Sequence, residues 1–547
     1  MTGAGVDALL GQALKHLDES RTDAAADLAR KALEQDRTSV GAWRILALAA
    51  ETSGDLAGAL SAYEGALALD PGDGALLKGL ARIALDLGMA PVADAFSRRA
   101  LAGNPDDAEA VCLLSRALAG QGQGDGAVEV LSTHLAQRPE SPEAWNALGV
   151  LVADRGDLAS AQTFFDEALR LAPSLTPARF NAANLLMTQG ETGRALAALE
   201  RIPQPGLSPR DRATLVFSRA CAHLRLGDLS QGWRDYAIRN DPGFPGSADF
   251  DIPGRRWRPG EALKGSDLLL VGEQGLGDEV MFAGLIPELL DGPQAPASLA
   301  LAVEPRLVSL FQRSFPGLPV TSHATQETGG RKVRRLSTAS DEGGRTGAWA
   351  PMADLLPDLR PSVSAFPERD RFLEADPGQV RAWRDWLATE APGLRVGLLW
   401  KSGLMSGSRN NAFAPFEAWA PVLGSPGVTF VNLQYGDCTG EIAFARDALG
   451  VKIRTPVGLD LKQDLEGVSA LSCALDLVIG VSNASFNLAA ACGAPAWLVT
   501  APDAWTTLGA AAYPWYPRVR MFASRTFGDW EVVLQSVADA LGARVAG

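Results

Sequence analysis

Three short segments carry residue types and spacings that suit the transfer of a group away from a phosphate. In GEQGLGDE (272–279), Gly275 and Gly277 let the backbone come close to a ligand, and Asp278 stands where a helix should begin. A carboxylate at that place can take a proton from an acceptor hydroxyl. It can equally be a helix cap, because aspartate is a preferred cap and a helix start favours an anion. In WKSG (400–403), Lys401, Ser402 and Gly403, with Arg409 a few residues on, offer charge and a hydroxyl to a phosphate. In VSNASFNLAAACGAP (481–495), Ser482 and Asn483 turn the chain and a small-residue helix starts near Ser485. The free N–H groups and dipole of that helix suit a monophosphate or a diphosphate. The chain has no GxxxxGK[ST] and no GxGxxG, so ATP-type and NAD-type chemistry are poorly supported.

Each segment needs a strand to deliver it. DLLLV (267–271) precedes the first, LRVGLLW (394–400) leads into the second and LDLVIGV (475–481) into the third. ASLALAV (297–303), VTFVNLQ (428–434) and AWLVT (496–500) are further apolar runs, and helical stretches alternate with them. That alternation predicts parallel α/β sheets, whose ligands bind at the carboxyl ends of the strands. Two Rossmann-like lobes fit, at 263–390 and 391–547, the second ending in a helix. The Pro/Gly/Asp-rich stretch 241–262 reads as a linker or irregular crossing. Residues 321–347 hold almost no apolar side chains and read as a flexible loop carrying Arg331, Lys332, Arg334 and Arg335. That loop is either a solvated insertion or a face for an anionic ligand.

The first 240 residues have a different period. Pro71, Pro105, Pro139 and Pro173 are spaced 34 apart, as are Gly54, Gly88, Gly122, Gly156 and Gly190. Trp43, Leu77, Val111 and Trp145 form an apolar rung on the same spacing, and Ala47, Ala81, Ser115 and Gly149 a small one where two helices approach closely. Tyr63 and Phe165 fill a bulky slot. The pattern resembles the tetratricopeptide repeat (TPR) family and implies about six helix–turn–helix units plus a further helical pair at about 209–239. Stacked pairs make a superhelix with a concave groove. Asn146, Asn181 and Asn184 lie on first helices, where an amide can grip a peptide backbone or simply face solvent. The resemblance implies a protein partner for the groove.

Composition narrows the classes. Five hundred and forty-seven residues imply three or four domains at roughly 100–200 each. A net charge of −14 disfavours general nucleic-acid binding and adhesion to an anionic membrane. Cys112, Cys221, Cys438, Cys473 and Cys492 are scattered and only four histidines exist, so no metal site is expected and the thiols suit a reducing cytoplasm. The N-terminus does not read as a signal peptide and no apolar run is long enough to span a bilayer. The expected location is cytoplasmic.

GEQGLGDEVMFAGLIPEL, VGLLWKSG, PGVTFVNLQYG, ALDLVIGVSNASFNLAAACGAPAWLV and PWYPRVRMF occur in this order. The set resembles bacterial TPR-linked glycosyltransferases of GT-B fold, similar to heptosyltransferase-type and O-GlcNAc-transferase-type enzymes, a group that includes flagellin glycosyltransferases. The resemblance implies an all-α TPR superhelix followed by an α/β GT-B domain. It implies inverting, metal-independent transfer with no bound cofactor and a nucleotide sugar as co-substrate. Asp278 falls on the segment that carries the catalytic aspartate. Lys401, Ser402 and Gly403 fall near the donor phosphates. Gln434, Tyr435 and Gly436 fall on a loop bordering base or ribose, and Ser482, Asn483 and Ser485 on a phosphate-binding turn. Two positions depart from the pattern. Asn487 stands where the family often has histidine, and Trp505-Thr506-Thr507 lacks the family's arginine. Trp505 is read either as stacking on a ligand or as packing, and PWYP (514–517) as a structural turn. The implied activity is protein O-glycosylation, with flagellin as acceptor and a CMP-linked nonulosonic acid such as CMP-pseudaminic acid as donor. The alternatives are a UDP-, GDP- or ADP-linked donor with another acceptor, and a non-enzymatic scaffold with a degenerate GT-B domain.

Overall fold

The computed structural model describes residues 3–19, 21–273, 275–328, 331–337, 347–403, 412–502, 504–524 and 526–546. The chain divides into two compact units, Met1–Leu185 with Glu327–Arg331, and Leu186–Gln326 with Lys332–Gly547.

The first unit is a stack of helix pairs: Gly3–Asp18 with Thr22–Gln35, Val40–Ser53 with Leu56–Leu69, Gly74–Asp86 with Ala90–Gly103, Ala108–Gly120 with Gly124–Gln137, and Pro142–Asp154 with Leu158–Leu171. Helix Thr176–Thr188 opens the next pair. The Gly-Asp dipeptides explain the turns. Gly54 (φ 83°) and Gly156 (φ 85°) end first helices in the left-handed region. The following Asp55 and Asp157 accept from the N–H of Gly58 and Ser160, at 2.9 and 3.0 Å, and so start the second helices. The small rung has a measurable cause. A Cβ on Gly149 would lie 2.6 Å from the ring of Phe165. A ladder of charge also crosses repeats. Glu51 holds Arg82 and accepts from Tyr63 Oη, Arg82 reaches Glu109, and Lys78 joins Glu109 and Asp107 at 2.8 and 2.9 Å.

In the second unit, Thr192–Glu200, Pro209–Arg225 and Leu229–Tyr236 continue the helical pattern. Trp233 Nε1 donates to the carbonyl of Arg360 at 2.7 Å, and Arg225 Nε to that of Pro502 at 2.8 Å, which fastens these helices to the α/β part. Two sheets follow. The first contains β1 (Ala248–Asp251), β2 (Arg255–Arg256), β3 (Asp267–Val271), β4 (Ser298–Val303), β5 (Val320–Thr328), β6 (Arg331–Leu336) and β7 (Ala348–Pro351). Its order is β1-β6-β5-β4-β3-β7-β2, and β3 runs parallel to both β4 and β7. The second contains β8 (Leu394–Leu399), β9 (Val428–Asn432), β10 (Leu477–Gly480), β11 (Ala496–Thr500) and β12 (Arg520–Ala523), all parallel in the order β12-β11-β10-β8-β9. Burial on both faces makes β10 and β11 continuous apolar runs. Helix Trp530–Ala546 covers one face of the second sheet through Trp530, Val533, Leu534, Val537 and Leu541.

Two expectations are corrected. The stretch 241–262, expected as a linker, holds edge strands β1 and β2 and the buried Trp257. The segment expected as a flexible basic loop holds β5 and β6. Its Arg334 is only 5% exposed and donates to the carbonyls of Gly272 and Glu273, both at 2.6 Å. A buried guanidinium that caps strand-end carbonyls leaves no apolar signature, which is why these strands read as a loop.

Candidate functional site

The strand order of the second sheet reverses between β8 and β10, and a cleft opens at such a point beyond the carboxyl ends. The structure brings the sequence-predicted segments to it. Asn483 caps helix Ala484–Ala491 by accepting from Phe486 N at 3.0 Å, and its Nδ2 donates to the carbonyl of Lys401 at 3.2 Å. The side chain of Gln434, at the end of β9, accepts from the N–H groups of Trp400 and Lys401, both at 3.0 Å. The three loop ends after β8, β9 and β10 are thereby locked together. Ser482 is exposed, while Ser485 is buried under the helix it begins.

The segment after β3 packs onto the same helix. A Cβ on Gly277 would stand 3.2 Å from Asn487 Nδ2 and 3.4 Å from Ala484 N, so the glycine is the close-approach point. Asn487 Nδ2 donates to the Gly277 carbonyl at 3.2 Å, and its Oδ1 is buried without a hydrogen-bond partner among the described residues. The helix Leu276–Phe282 carries Asp278 in its first turn, with Gly275 at its cap position. Two neighbouring acids are fully used elsewhere. Glu273 is 3% exposed and binds Arg239 and the N–H of Ala353 (2.7 Å); Glu279 is 1% exposed and binds the N–H of Glu304 (2.6 Å) and His323 Nε2 (3.2 Å). Asp278 is partly exposed. Its charge is felt by Tyr236, Tyr513 and Tyr516, whose hydroxyls are pushed up first by burial and further by that carboxylate. All three therefore remain protonated across the physiological range.

The cationic part of the site differs from the sequence reading. Lys401 is not a bare charge: its ammonium pairs with Glu441 and donates to the Asp437 carbonyl at 2.9 Å. Glu441 also accepts from Trp400 Nε1 at 3.4 Å. Burial raises the Glu441 carboxyl, but Lys401 and Trp400 hold it below its ordinary value. Arg409 lies outside the described residues. Tyr435 Oη accepts from the N–H of Gly403 at 3.1 Å, and Gly436 takes a left-handed φ of 82°. Gln434, Tyr435 and Gly436 line an open depression of about 1090 Å³ with Asn432, Thr439, Arg446, Thr455, Asp460 and Lys462. Trp505 packs edge-on to Trp233 (6.2 Å between ring centroids) and against Tyr236 (5.3 Å), which favours its packing role. Pro514 and Trp515, from the expected structural turn, line a smaller cavity with Phe366 and Phe372.

In the repeats, Asn181 Nδ2 donates to Asn146 Oδ1 at 2.8 Å, linking neighbouring first helices, and Asn184 is exposed. Sequence reasoning missed Glu441, Arg239, Asp354 and Tyr513. The first three meet partners at least 34 residues away in sequence, which no local signal marks. Among the described residues no group of three His, Cys, Asp or Glu could hold a metal ion, and no helix is long and apolar enough to cross a membrane.

Two tetratricopeptide-repeat family models match the chain, one at residues 10–74, 78–142 and 112–175, the other at 153–210. The chain is 44% identical over 530 residues to Protein FlbA of Caulobacter vibrioides, covering 97% of this chain and 88% of that protein. Among solved structures, a tetratricopeptide repeat protein from Parabacteroides merdae shares 18% identity across 44% of this chain and 93% of its own, with a TM-score of 0.34. YrrB, described as a TPR protein with an unusual peptide-binding site, shares 23% identity across 31% of this chain and 88% of its own, with a TM-score of 0.27.

Proposed function

This chain belongs to the family of Protein FlbA, and we propose that it is a flagellum-associated protein O-glycosyltransferase whose α/β part is a GT-B catalytic domain. The repeats recruit the acceptor, flagellin, and the donor is a CMP-linked nonulosonic acid. One observation carries the reading. Of the three carboxylates at 273, 278 and 279, the two flanking ones are buried, while Asp278 is partly exposed in the first turn of helix Leu276–Phe282, whose Gly277 carbonyl accepts from Asn487 of helix Ala484–Ala491.

The chemistry follows from that arrangement. A serine or threonine hydroxyl is a weak nucleophile, and the Asp278 carboxylate takes its proton as the oxygen attacks the anomeric carbon. The bond from that carbon to the phosphate oxygen breaks on the opposite face, and its electron pair leaves with CMP. The configuration inverts. Ser482 and the first N–H groups of helix Ala484–Ala491 hold the departing phosphate, and the depression beside Gln434 and Tyr435 holds the nucleoside.

A second reading has one observation in its favour. Lys401 is neutralised by Glu441 and Asn487 is uncharged, which weakens the phosphate site and suits a scaffold that carries a degenerate domain. Asp278→Asn separates the two. The enzyme reading expects CMP to bind the variant as it binds the parent, with transfer abolished. Transfer that survives the substitution removes Asp278 as the base, and failure of both proteins to bind any nucleotide favours the scaffold.

A further inference from the structure

We propose that Arg239 is a positioning residue for the Asp278 turn, a strut through which the helices after the repeats set the catalytic carboxylate. The proposal rests on the transferase reading for the role of Asp278, and on geometry for the rest. Arg239 follows helix Leu229–Tyr236 directly and is 4% exposed. Its Nη2 donates to Glu273 Oε1 at 3.2 Å and to Asp354 Oδ1 at 2.8 Å, and its Nε to Glu273 Oε2 at 3.3 Å. Asp354 is completed by Asn240 Nδ2 at 3.2 Å and by Arg256 at 2.7 Å. The cluster sits beyond the ends of β3 and β7, where the first sheet reverses its order. Glu273 stands five positions before Asp278 in the sequence.

Burial works against the Arg239 charge, but Glu273 and Asp354 more than offset it, so the guanidinium stays protonated. Fully paired buried charges add little net stability compared with an apolar core, because their desolvation consumes most of the attraction. What such a network supplies is direction. A planar guanidinium meets its carboxylates only at set angles. Glu273 cannot shift without breaking those bonds, and the carbonyls of Gly272 and Glu273 are fixed on the other side by Arg334. The strut therefore ties Glu273, two positions before Gly275, to the segment that follows helix Leu229–Tyr236, and none of its residues lines the Gln434–Tyr435 depression.

Hydrogen exchange of the full-length chain tests this with Arg239→Met and the milder Arg239→Lys. Exchange of amides in 275–282 is expected to rise at least tenfold in Arg239→Met and less in Arg239→Lys, whose ammonium still reaches a carboxylate. Exchange in 484–491 and the affinity for CMP should stay within twofold. Release of CMP from CMP-N-acetylneuraminic acid gives the kinetic arm: kcat is expected to fall at least tenfold with KM unchanged, and Arg239→Lys to recover part of it. Unchanged exchange in 275–282 overturns the proposal. So does a uniform rise across the whole first sheet, which marks a purely structural role, or a loss expressed in KM alone. Should the parent chain release no CMP, the transferase reading fails on its own, and the exchange pattern still decides whether Arg239 sets this turn.

Discussion

Gly403→Ala tests the joint between the loops after β8 and β9. An added Cβ would lie 2.5 Å from Tyr435 Cε2 and 3.2 Å from its hydroxyl. Carbon atoms rest about 3.5–4.0 Å apart, so the ring has to retreat by about 1 Å. Gly403 N–H then loses the 3.1 Å bond to Tyr435 Oη. One such bond is worth about 0.5–1.5 kcal/mol, and each 1.4 kcal/mol is tenfold in affinity. Because Tyr435 lines the depression assigned to the nucleoside, CMP affinity should fall by about 2- to 10-fold. Tyr435→Phe removes the bond but keeps the ring in place, so its loss should be the smaller of the two. Gly403 is exposed, and the unfolding midpoint should hardly move in either variant. Isothermal titration of the three proteins with CMP reads the effect. Equal affinity for parent and Gly403→Ala refutes the assignment of this loop pair to the ligand.

Other outcomes follow from named contacts. In the repeats, Gly11→Ala meets nothing within 4 Å and should stabilise its helix by up to about 1 kcal/mol. Gly149→Ala makes the same propensity gain but drives a Cβ into Phe165, at a cost of about 1–3 kcal/mol; urea unfolding followed by local hydrogen exchange should show opposite signs or a clear gap between them. The Lys401–Glu441 pair depends on pH. Because the folded carboxyl lies below its ordinary value of 4.5, the pair stabilises above that value and loses its contribution as pH falls through the lowered one. The stability gap between the parent chain and Glu441→Gln, measured by denaturant unfolding, should therefore be present at neutral pH and close on acidification. A gap that widens in acid contradicts the pairing. Arg256→Met removes one partner of Asp354 yet leaves Arg239 on Glu273, so it should affect exchange in 275–282 less than Arg239→Met does.

The repeat array was legible because its determinants are local and periodic. A glycine at one turn and a proline after the next helix recur every 34 residues, and the structure adds only why the small rung is small. The strands that carry the candidate site were legible for a related reason, since burial on both faces turns them into uninterrupted apolar runs. The misread pieces have the opposite character. β5 and β6 lie toward one side of the first sheet, where His323 meets Glu279 and Arg334 meets strand-end carbonyls. Arg334 is buried by capping carbonyls 61 and 62 residues away in sequence, which no window of the sequence reveals. The same holds for Lys401, whose charge is cancelled from 40 positions downstream, and for Arg239, which meets Asp354 across 115. Glycine turns announce where a ligand can approach. They do not announce which nearby charges are already spent.

Intact-mass spectrometry of flagellin tests the central claim most directly. Flagellin is incubated with a CMP-linked nonulosonic acid and either the parent chain or Asp278→Asn. The account predicts added mass in steps of one sugar residue with the parent chain and none with the variant, while both bind CMP. Flagellin left unmodified by the parent chain, or modified equally by the variant, contradicts it.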